Sequence, residues 1–266
     1  IFFVFWIYIV ISSIFSIESL VSLKTTIPYI RFAIFTCFVM FLIKNNKNFV
    51  NNFSIFLIIF FTIVLIDSYI QYFFGSNILG IKSPHPSRLS SFFGEEMIVG
   101  SFLSRLFSLV LFSILILSKN FNKNIQYLSA IFLILTDVII FLTGERTSFG
   151  ILLIINIGFI ILINKMKLLR VITFIISIFI ISFIALNNNI VKDRMIDQTI
   201  NEFGIKENNI KAFSVVHQDH YETAIKMFKK NPITGVGVKM FRYECHNKEY
   251  LVGKWGCTSH PHHLYI

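Results

Sequence analysis

Long apolar blocks recur along this chain and are separated by short polar segments. The blocks run for roughly 16 to 22 residues, which as an α-helix is enough to cross about 30 Å of hydrocarbon. Charged residues make up 14% of the chain, compared with about 25% in a soluble domain. The sequence therefore predicts an all-α fold, a polytopic membrane helix bundle, with seven spans near residues 1–17, 28–43, 53–74, 97–117, 125–143, 147–163 and 168–186.

The rest of the chain is one large polar segment. Residues 187–262 form a predicted loop domain outside the membrane, and 263–266 are the expected start of a further span. The first residue already lies inside an apolar run, so we expect the chain to be a piece of a longer protein.

Basic residues in the short loops predict the orientation. The loops 44–52, 118–124 and 164–170 contain no acid and contain the basic residues Lys44, Lys47, Lys119, Lys123, Lys165, Lys167 and Arg170. The positive-inside rule assigns these loops to the cytoplasm, so residues 75–96 and 187–262 lie outside. We expect a bacterial inner membrane protein with its large loop in the periplasm. Because much of the +10 net charge lies in such loops, nucleic-acid binding is not predicted.

Histidine is confined to the segments predicted to lie outside or to their edge, at positions 85, 217, 220, 246, 260, 262 and 263. Within the loop domain, 214–230 is predicted to be an amphipathic helix whose apolar stripe is Val216, Tyr221, Ala224, Ile225 and Phe228. Residues 234–237 are predicted to form a turn. Cys245 and Cys257 would be exposed to an oxidising compartment, which permits a disulfide.

The histidine cluster at 260–263 has three interpretations. One of the histidines could act as a general base, or as a hydrogen-bond partner for a sugar hydroxyl, or the cluster could be only a solvated loop. Zinc ligation through Cys257, His260, His262 and His263 is disfavoured, because Pro261 restricts the backbone and no second ligand pair follows. No metal is predicted.

Several arginines lie where an anionic substrate could bind. Arg146 falls in the tight connection between two spans, where it could hold a phosphate through two hydrogen bonds or simply reach the lipid headgroups. Arg88 precedes the fourth span, in what could be a cationic patch or a solvated loop. Arg194 and Arg242 could bind an anionic donor or only neutralise neighbouring acids.

Four ionisable residues fall within or near the predicted spans: Asp67, Asp137, Arg31 and Arg105. Charges at this depth are costly and mark either an ion path or structural pairing. The four show no periodic relay, which favours pairing over a transporter.

Four stretches together resemble the O-antigen ligase / O-antigen polymerase superfamily of bacterial envelope glycosyltransferases: Arg88–Leu103, Thr143–Gly150, Asn231–Gly237 and His260–Tyr265. The resemblance implies many membrane helices, one large periplasmic loop, and transfer of a glycan from an undecaprenyl-diphosphate carrier to a lipid or glycan acceptor. It implies no cofactor and no metal.

The resemblance also assigns roles to residues. It places a catalytic histidine at His262 and a diphosphate-binding arginine at Arg146, with Arg88 as a second counterpart. His263 stands where the family usually has Asn, Ser or Gln. On this basis we expect an O-antigen ligase with His262 and Arg146 as catalytic residues and Arg88, Arg242 and His260 as substrate-binding residues. A chain polymerase of the same superfamily and a multi-span transporter are the alternatives.

Overall fold

The computed structural model describes residues 1–118, 122–202 and 215–260. Most of these residues lie in helices, and none of them lies in a strand. The longer helices are α1 (Phe2–Ile14), α2 (Ser19–Thr26), α3 (Ile30–Asn45), α4 (Phe49–Phe74), α5 (Val99–Leu117), α6 (Lys123–Leu142), α7 (Arg146–Leu162), α8 (Lys167–Asn187) and α11 (Val215–Lys230). Short helices are α9 (Asn189–Lys192), a π-helix (Asp193–Asp197), α10 (Gln198–Glu202) and α12 (Phe241–Glu244). The predicted all-α class is confirmed for this part of the chain.

Five helical stretches are long and apolar enough to cross a membrane: Ser19–Asn45, Phe49–Phe74, Val99–Leu117, Lys123–Leu142 and Lys167–Asn187. They coincide with five of the seven predicted spans. The helices in the other two, α1 and α7, are apolar but shorter, with 13 and 17 residues. The chain thus has the helices of a multi-pass membrane protein.

The chain divides into two compact units. The bundle unit comprises residues 47–200, and the second unit joins residues 1–46 to residues 201–266. The sequence-based division fell at 186/187, whereas α9, the π-helix and most of α10 lie in the bundle unit. The predicted further span at 263–266 lies outside the described residues.

In the bundle unit, α5 packs against α4 and α7, and α6 packs against α8. Its core is formed by fully buried side chains that include Phe61, Val99, Leu103, Phe107, Ile139, Ile140 and Leu152. On its outside, Ile154 and Phe179 are 72% and 73% exposed, and Arg105 is also exposed. Such a surface of large apolar side chains suits lipid rather than water.

A buried ion pair connects three helices of the bundle. Arg170 donates from Nη2 to both carboxylate oxygens of Asp137 at 2.7 and 2.8 Å, and from Nε to Oδ1 of Asn156 at 2.6 Å. Ser177 donates to Asp137 at 2.9 Å. Structural pairing of Asp137 is therefore what the structure shows. The assignment of Arg170 to a cytoplasmic loop was wrong: it lies inside α8 and is 1% exposed, because a buried carboxylate needs a counter-charge.

Asp67 fixes the long connection between α4 and α5. Its Oδ1 accepts from the backbone N–H of Ile78 at 2.9 Å, and its Oδ2 accepts from the Ser91 hydroxyl. One turn further along α4, Oε1 of Gln71 accepts from the N–H groups of Ser90 and Ser91, both at 2.8 Å. Asp67 is thus a structural anchor. The two arginines predicted near lipid depth are both exposed: Arg31 lies over the Phe32 ring, and Arg105 lies on the outside of α5.

Candidate functional site

Three separate segments meet at one end of the bundle unit. The backbone N–H of Leu89, in the α4–α5 connection, donates to the carbonyl of Thr143, in the α6–α7 turn, at 3.2 Å. Arg194, beyond α8, donates from Nε to the carbonyl of Gly144 at 3.2 Å. This arrangement is the one expected if all three segments lie on the same side of a membrane.

Two glycines at the α6–α7 turn have no room for a side chain, one in the turn itself and one in α5 facing it. Gly144 has φ +72°, and a Cβ there would lie 2.2 Å from the carbonyl oxygen of Ser87. A Cβ on Gly100, at the start of α5, would lie 2.3 Å from Oγ1 of Thr143. Both glycines are required by close approach, so this turn is packed tightly against the α4–α5 connection and α5.

Glu145 anchors the turn to a neighbouring helix. Its carboxylate is 8% exposed and accepts from the N–H groups of Gly100 and Ser101 at 2.7 and 3.1 Å, the free amides at the start of α5. The hydroxyls of Ser101 and Ser148 also donate to it, at 2.6 and 3.0 Å. A carboxylate in this place satisfies unpaired amides and interacts favourably with the helix dipole. It thereby fixes the position of the next residue, Arg146.

Two arginines contact the turn at Gly144, and a third follows this glycine by two positions in the sequence. Arg146 is the first residue of α7 and is half-buried. Cγ of Arg88 would lie 3.2 Å from a Cβ on Gly144, so the stem of this arginine packs against the turn. Arg194 reaches the same glycine through its hydrogen bond. Because guanidinium groups are permanently charged, this cluster is a concentration of positive charge at one end of the bundle.

One of these arginines, Arg88, lines a cavity of about 530 Å³. Its polar lining includes Gln71, Ser83, His85, Ser87, Arg88 and Asn188. Arg88 donates from Nη2 to the carbonyl of Met97 at 2.7 Å, while its buried Nε has no hydrogen-bond partner among the described residues. Nδ1 of His85 lies 2.9 Å from Oγ of Ser87. The cavity therefore offers a cation and several hydrogen-bonding groups to an anionic ligand.

In the second unit, α11 buries a different face from the one predicted. The buried residues are His220, Thr223, Ala224 and Met227, whereas Val216, Ile225 and Phe228 are 37%, 39% and 57% exposed. Of the predicted stripe, only Ala224 is buried. The helix itself begins and ends within one residue of the prediction.

The polar side of α11 is buried because a later segment needs hydrogen-bond acceptors. The N–H of Val252 donates to Oγ1 of Thr223, and the N–H of Trp255 donates to Oδ2 of Asp219, both at 3.1 Å. Gly253, with φ +61°, lies so close to Asp219 that a Cβ would be 2.2 Å from the carboxylate. Residues 250–257 are thus held against α11 by its polar residues.

Cys245 and Cys257 form a disulfide, the pairing that the sequence suggested, with their Cα atoms 5.0 Å apart. A ring nitrogen of His246 lies within 4.8 Å of both sulfurs. Two sulfurs joined in a disulfide are not thiolates and cannot ligate a metal in that form.

A second cavity, of about 610 Å³, lies within this unit and brings together two predicted substrate-binding residues, Arg242 and His260. Lys239, Phe228 and Tyr29 also line it. The turn predicted at 234–237 forms part of the lining of this cavity through Gly235 and Gly237, which have φ +63° and +100°.

His220 is the one buried histidine of the described part of the chain, at 4% exposure. Burial lowers the pKa of His220, and the neighbouring His217 and His260 lower the pKa further, whereas Asp219 and a hydrogen bond with the Trp255 backbone act in the opposite sense. The neutral imidazole is therefore the form that this site favours.

The structure thus groups the predicted site residues into two sets. In the bundle unit, Arg88 and Arg194 contact the turn that leads into Arg146. In the second unit, Arg242 and His260 line one cavity. His262 lies outside the described residues. Sequence reasoning missed the anchoring role of Glu145, whose backbone partners lie more than 40 residues away, and the burial of His220.

Comparisons of the chain with known protein families, with curated proteins and with solved structures find no match.

Proposed function

We propose that this protein is a membrane glycosyltransferase that moves an oligosaccharide from an undecaprenyl-diphosphate carrier to an acceptor hydroxyl, in the manner of an O-antigen ligase. The observation that carries the proposal is that Arg88 and Arg194 contact the Gly144 turn, which leads directly into Arg146, and that Arg88 also lines a polar cavity. A diphosphate at a membrane surface needs fixed positive charge, which arginine supplies at any accessible pH.

In the proposed reaction, the acceptor hydroxyl attacks the anomeric carbon of the first sugar. The bond from that carbon to the diphosphate oxygen breaks, and the leaving undecaprenyl diphosphate keeps the electron pair. Arg146, assisted by Arg88, stabilises the negative charge that develops on the leaving group. His262 takes the proton of the acceptor hydroxyl, since histidine is the side chain whose ordinary pKa lies near neutrality. Its role rests on the resemblance in sequence.

The anchoring of Glu145 supports the role of Arg146. A charge that stabilises a transition state must be held in place before the reaction begins. Four hydrogen bonds to Glu145 fix the residue directly before Arg146. The inner (plasma) membrane and a periplasmic position for this end of the bundle are part of the proposal.

The transporter alternative receives less support. Asp67 and Asp137 are both engaged in structural hydrogen bonds, with the α4–α5 connection and with Arg170 respectively. A carboxylate relay would need such groups to exchange partners during transport.

Reconstitution of the full-length protein tests the proposal. Proteoliposomes would receive an undecaprenyl-diphosphate-linked oligosaccharide together with a lipid A core, a protein acceptor or a second lipid-linked unit. We expect transfer to the lipid acceptor. A ladder built from lipid-linked units alone would identify a polymerase, and no product with any acceptor would refute the glycosyltransferase assignment.

Variants test the residues. Arg146→Lys keeps the charge but loses the two parallel hydrogen bonds, and we expect at least a tenfold loss of transfer. Arg105→Lys is the matched control, because Arg105 is an exposed arginine elsewhere in the same unit. His262→Ala should abolish transfer with little effect on expression. Transfer at the wild-type rate by either site variant would remove that residue from the mechanism.

A further inference from the structure

The cavity of about 610 Å³ in the second unit has a lining of one charge sign. Three basic residues contribute to it, Lys239, Arg242 and His260, and none of the described residues that line it is acidic. Its volume lies within the roughly 300–1,000 Å³ range of ligand sites in proteins. The electrostatic character of the lining favours an anionic ligand.

Two of these basic residues make no polar interaction with another residue in the described part of the chain. Neither the Arg242 guanidinium nor the Lys239 ammonium makes a hydrogen bond or an ion pair with any described residue. Arg242 is exposed, so its planar donors can meet a carboxylate or a phosphate in two parallel hydrogen bonds.

The walls of the cavity are held in place by covalent and conformational constraints. Cys245 follows Arg242 by three positions and Cys257 precedes His260 by three, so the disulfide ties these two parts of the lining together. Lys239 has φ +65°, a backbone conformation that a non-glycine residue keeps only where the surrounding structure holds it in place. A preformed site of this kind binds with a smaller loss of conformational entropy.

The remaining lining suits a sugar ring. Phe228 is 57% exposed although it lines the cavity, and Tyr29 contributes a second aromatic ring. Ser259 adds a hydroxyl, whose oxygen lies 2.8 Å from Nδ1 of His260. An aromatic face beside hydrogen-bonding groups can accept the apolar face of a saccharide while its hydroxyls are bonded.

We propose that this cavity binds an acidic saccharide, one that carries a carboxylate or a phosphate group, with Arg242 as the principal anion-binding residue. The inference deepens the proposed function by naming a chemical class for the glycan. As a binding property, it can be tested without transfer.

Saturation-transfer NMR on the full-length protein in neutral phosphatidylcholine nanodiscs provides the test. The probes are a disaccharide that contains glucuronic acid and its carboxyl-reduced form, and glucose 1-phosphate with glucose as its neutral counterpart. We expect at least one acidic probe to bind at least tenfold more tightly than its neutral counterpart. Arg242→Gln should remove that preference, and Lys248→Gln, which changes an exposed lysine outside the cavity, should leave it within about twofold.

Each other outcome counts against the inference. Equal binding of acidic and neutral probes, or no binding by a wild-type protein that is folded, would overturn it. Competition by phosphatidylglycerol added to the nanodiscs would identify a lipid headgroup as the occupant and would also overturn it. Arg146→Lys should keep the binding, so a protein that binds the acidic sugar but transfers no glycan would refute the proposed function and leave this inference standing.

Discussion

Glu145→Ala should destabilise the bundle unit strongly, because Glu145 is the acceptor for four hydrogen bonds. The substitution leaves the N–H groups of Gly100 and Ser101 unpaired, at about 1–3 kcal/mol each. It also removes a negative charge from the N-terminus of α5, which is worth up to about 2 kcal/mol in a partly buried site. Because the hydroxyls of Ser101 and Ser148 can find other acceptors, we expect a total loss of about 3–5 kcal/mol.

Glu145→Gln removes the charge but keeps most of the hydrogen bonds. The amide oxygen can still accept from Gly100, and the amide N–H₂ can donate to the hydroxyls of Ser101 and Ser148, which then act as acceptors. The N–H of Ser101, whose acceptor was the second carboxylate oxygen, is left unpaired. Together with the lost charge at the start of α5, this predicts a loss of about 2–4 kcal/mol, below that of the alanine variant, which leaves both amides unpaired.

Thermal unfolding of the full-length protein in detergent measures both effects. For a unit of this size, 1 kcal/mol shifts Tm by about 2–4 °C, so Glu145→Ala should lower Tm by roughly 6–20 °C. Glu96→Ala is the matched control: it removes an exposed carboxylate from the same end of the bundle and should shift Tm by about 2 °C at most. A Glu145→Ala protein that unfolds within about 2 °C of the wild type would show that the carboxylate does not hold the turn.

Three further predictions concern other sites. Asp137→Ala should cost about 3–5 kcal/mol in thermal unfolding because it leaves Arg170 buried and unpaired, and adding Arg170→Met should restore part of the loss; a double variant less stable than the single would contradict this. Gly144→Ala should sharply reduce the yield of folded protein, since its Cβ would meet backbone, whereas Gly150→Ala, with open space around it, should be tolerated in the same size-exclusion assay. The folded-state pKa of His220 is lowered, so its contribution to stability is complete above about pH 6.5 and is lost as pH falls through the folded-state pKa; limited proteolysis between pH 7.5 and 5 should show this loss, and His220→Gln should flatten it.

Local sequence was enough to predict the long apolar helices of this chain but not the partners of its charges. Length and hydropathy identified the apolar helices, because a segment that crosses lipid must be both apolar and long enough to do so as a helix. Basic loop residues placed the segments around Arg88 and Arg146 on one side, which agrees with their meeting at one end of the bundle. Arg170 was assigned to the wrong place because an arginine near the end of a span can lie in a cytoplasmic loop or can be the counter-ion of a buried carboxylate. Only the packing of α6 against α8, which brings Asp137 to Arg170, distinguishes these two roles.

The error in α11 has a different physical origin. An apolar stripe predicts the buried face of a helix when the neighbouring surface is apolar. Here the neighbour is an irregular segment, and its backbone N–H groups need acceptors such as Asp219 and Thr223. The glycines Gly253 and Gly256 gave a hint, since both allow the close approach of that segment to α11.

The second unit joins residues 1–46 to residues from 201 onward, and this has a consequence for biosynthesis. The Tyr8 hydroxyl donates to the carbonyl of Ile233 at 2.6 Å, and the Ser12 hydroxyl donates to the carbonyl of Thr234, across more than 220 residues of sequence. At about 5–20 residues per second, a ribosome needs on the order of 10–45 s to supply those carbonyls after the first helix has emerged. During that time α1 lacks these partners, so its hydroxyls must form hydrogen bonds with water, lipid or a chaperone instead. A nascent chain arrested before residue 230 should therefore be more sensitive to membrane proteases than one arrested after residue 260.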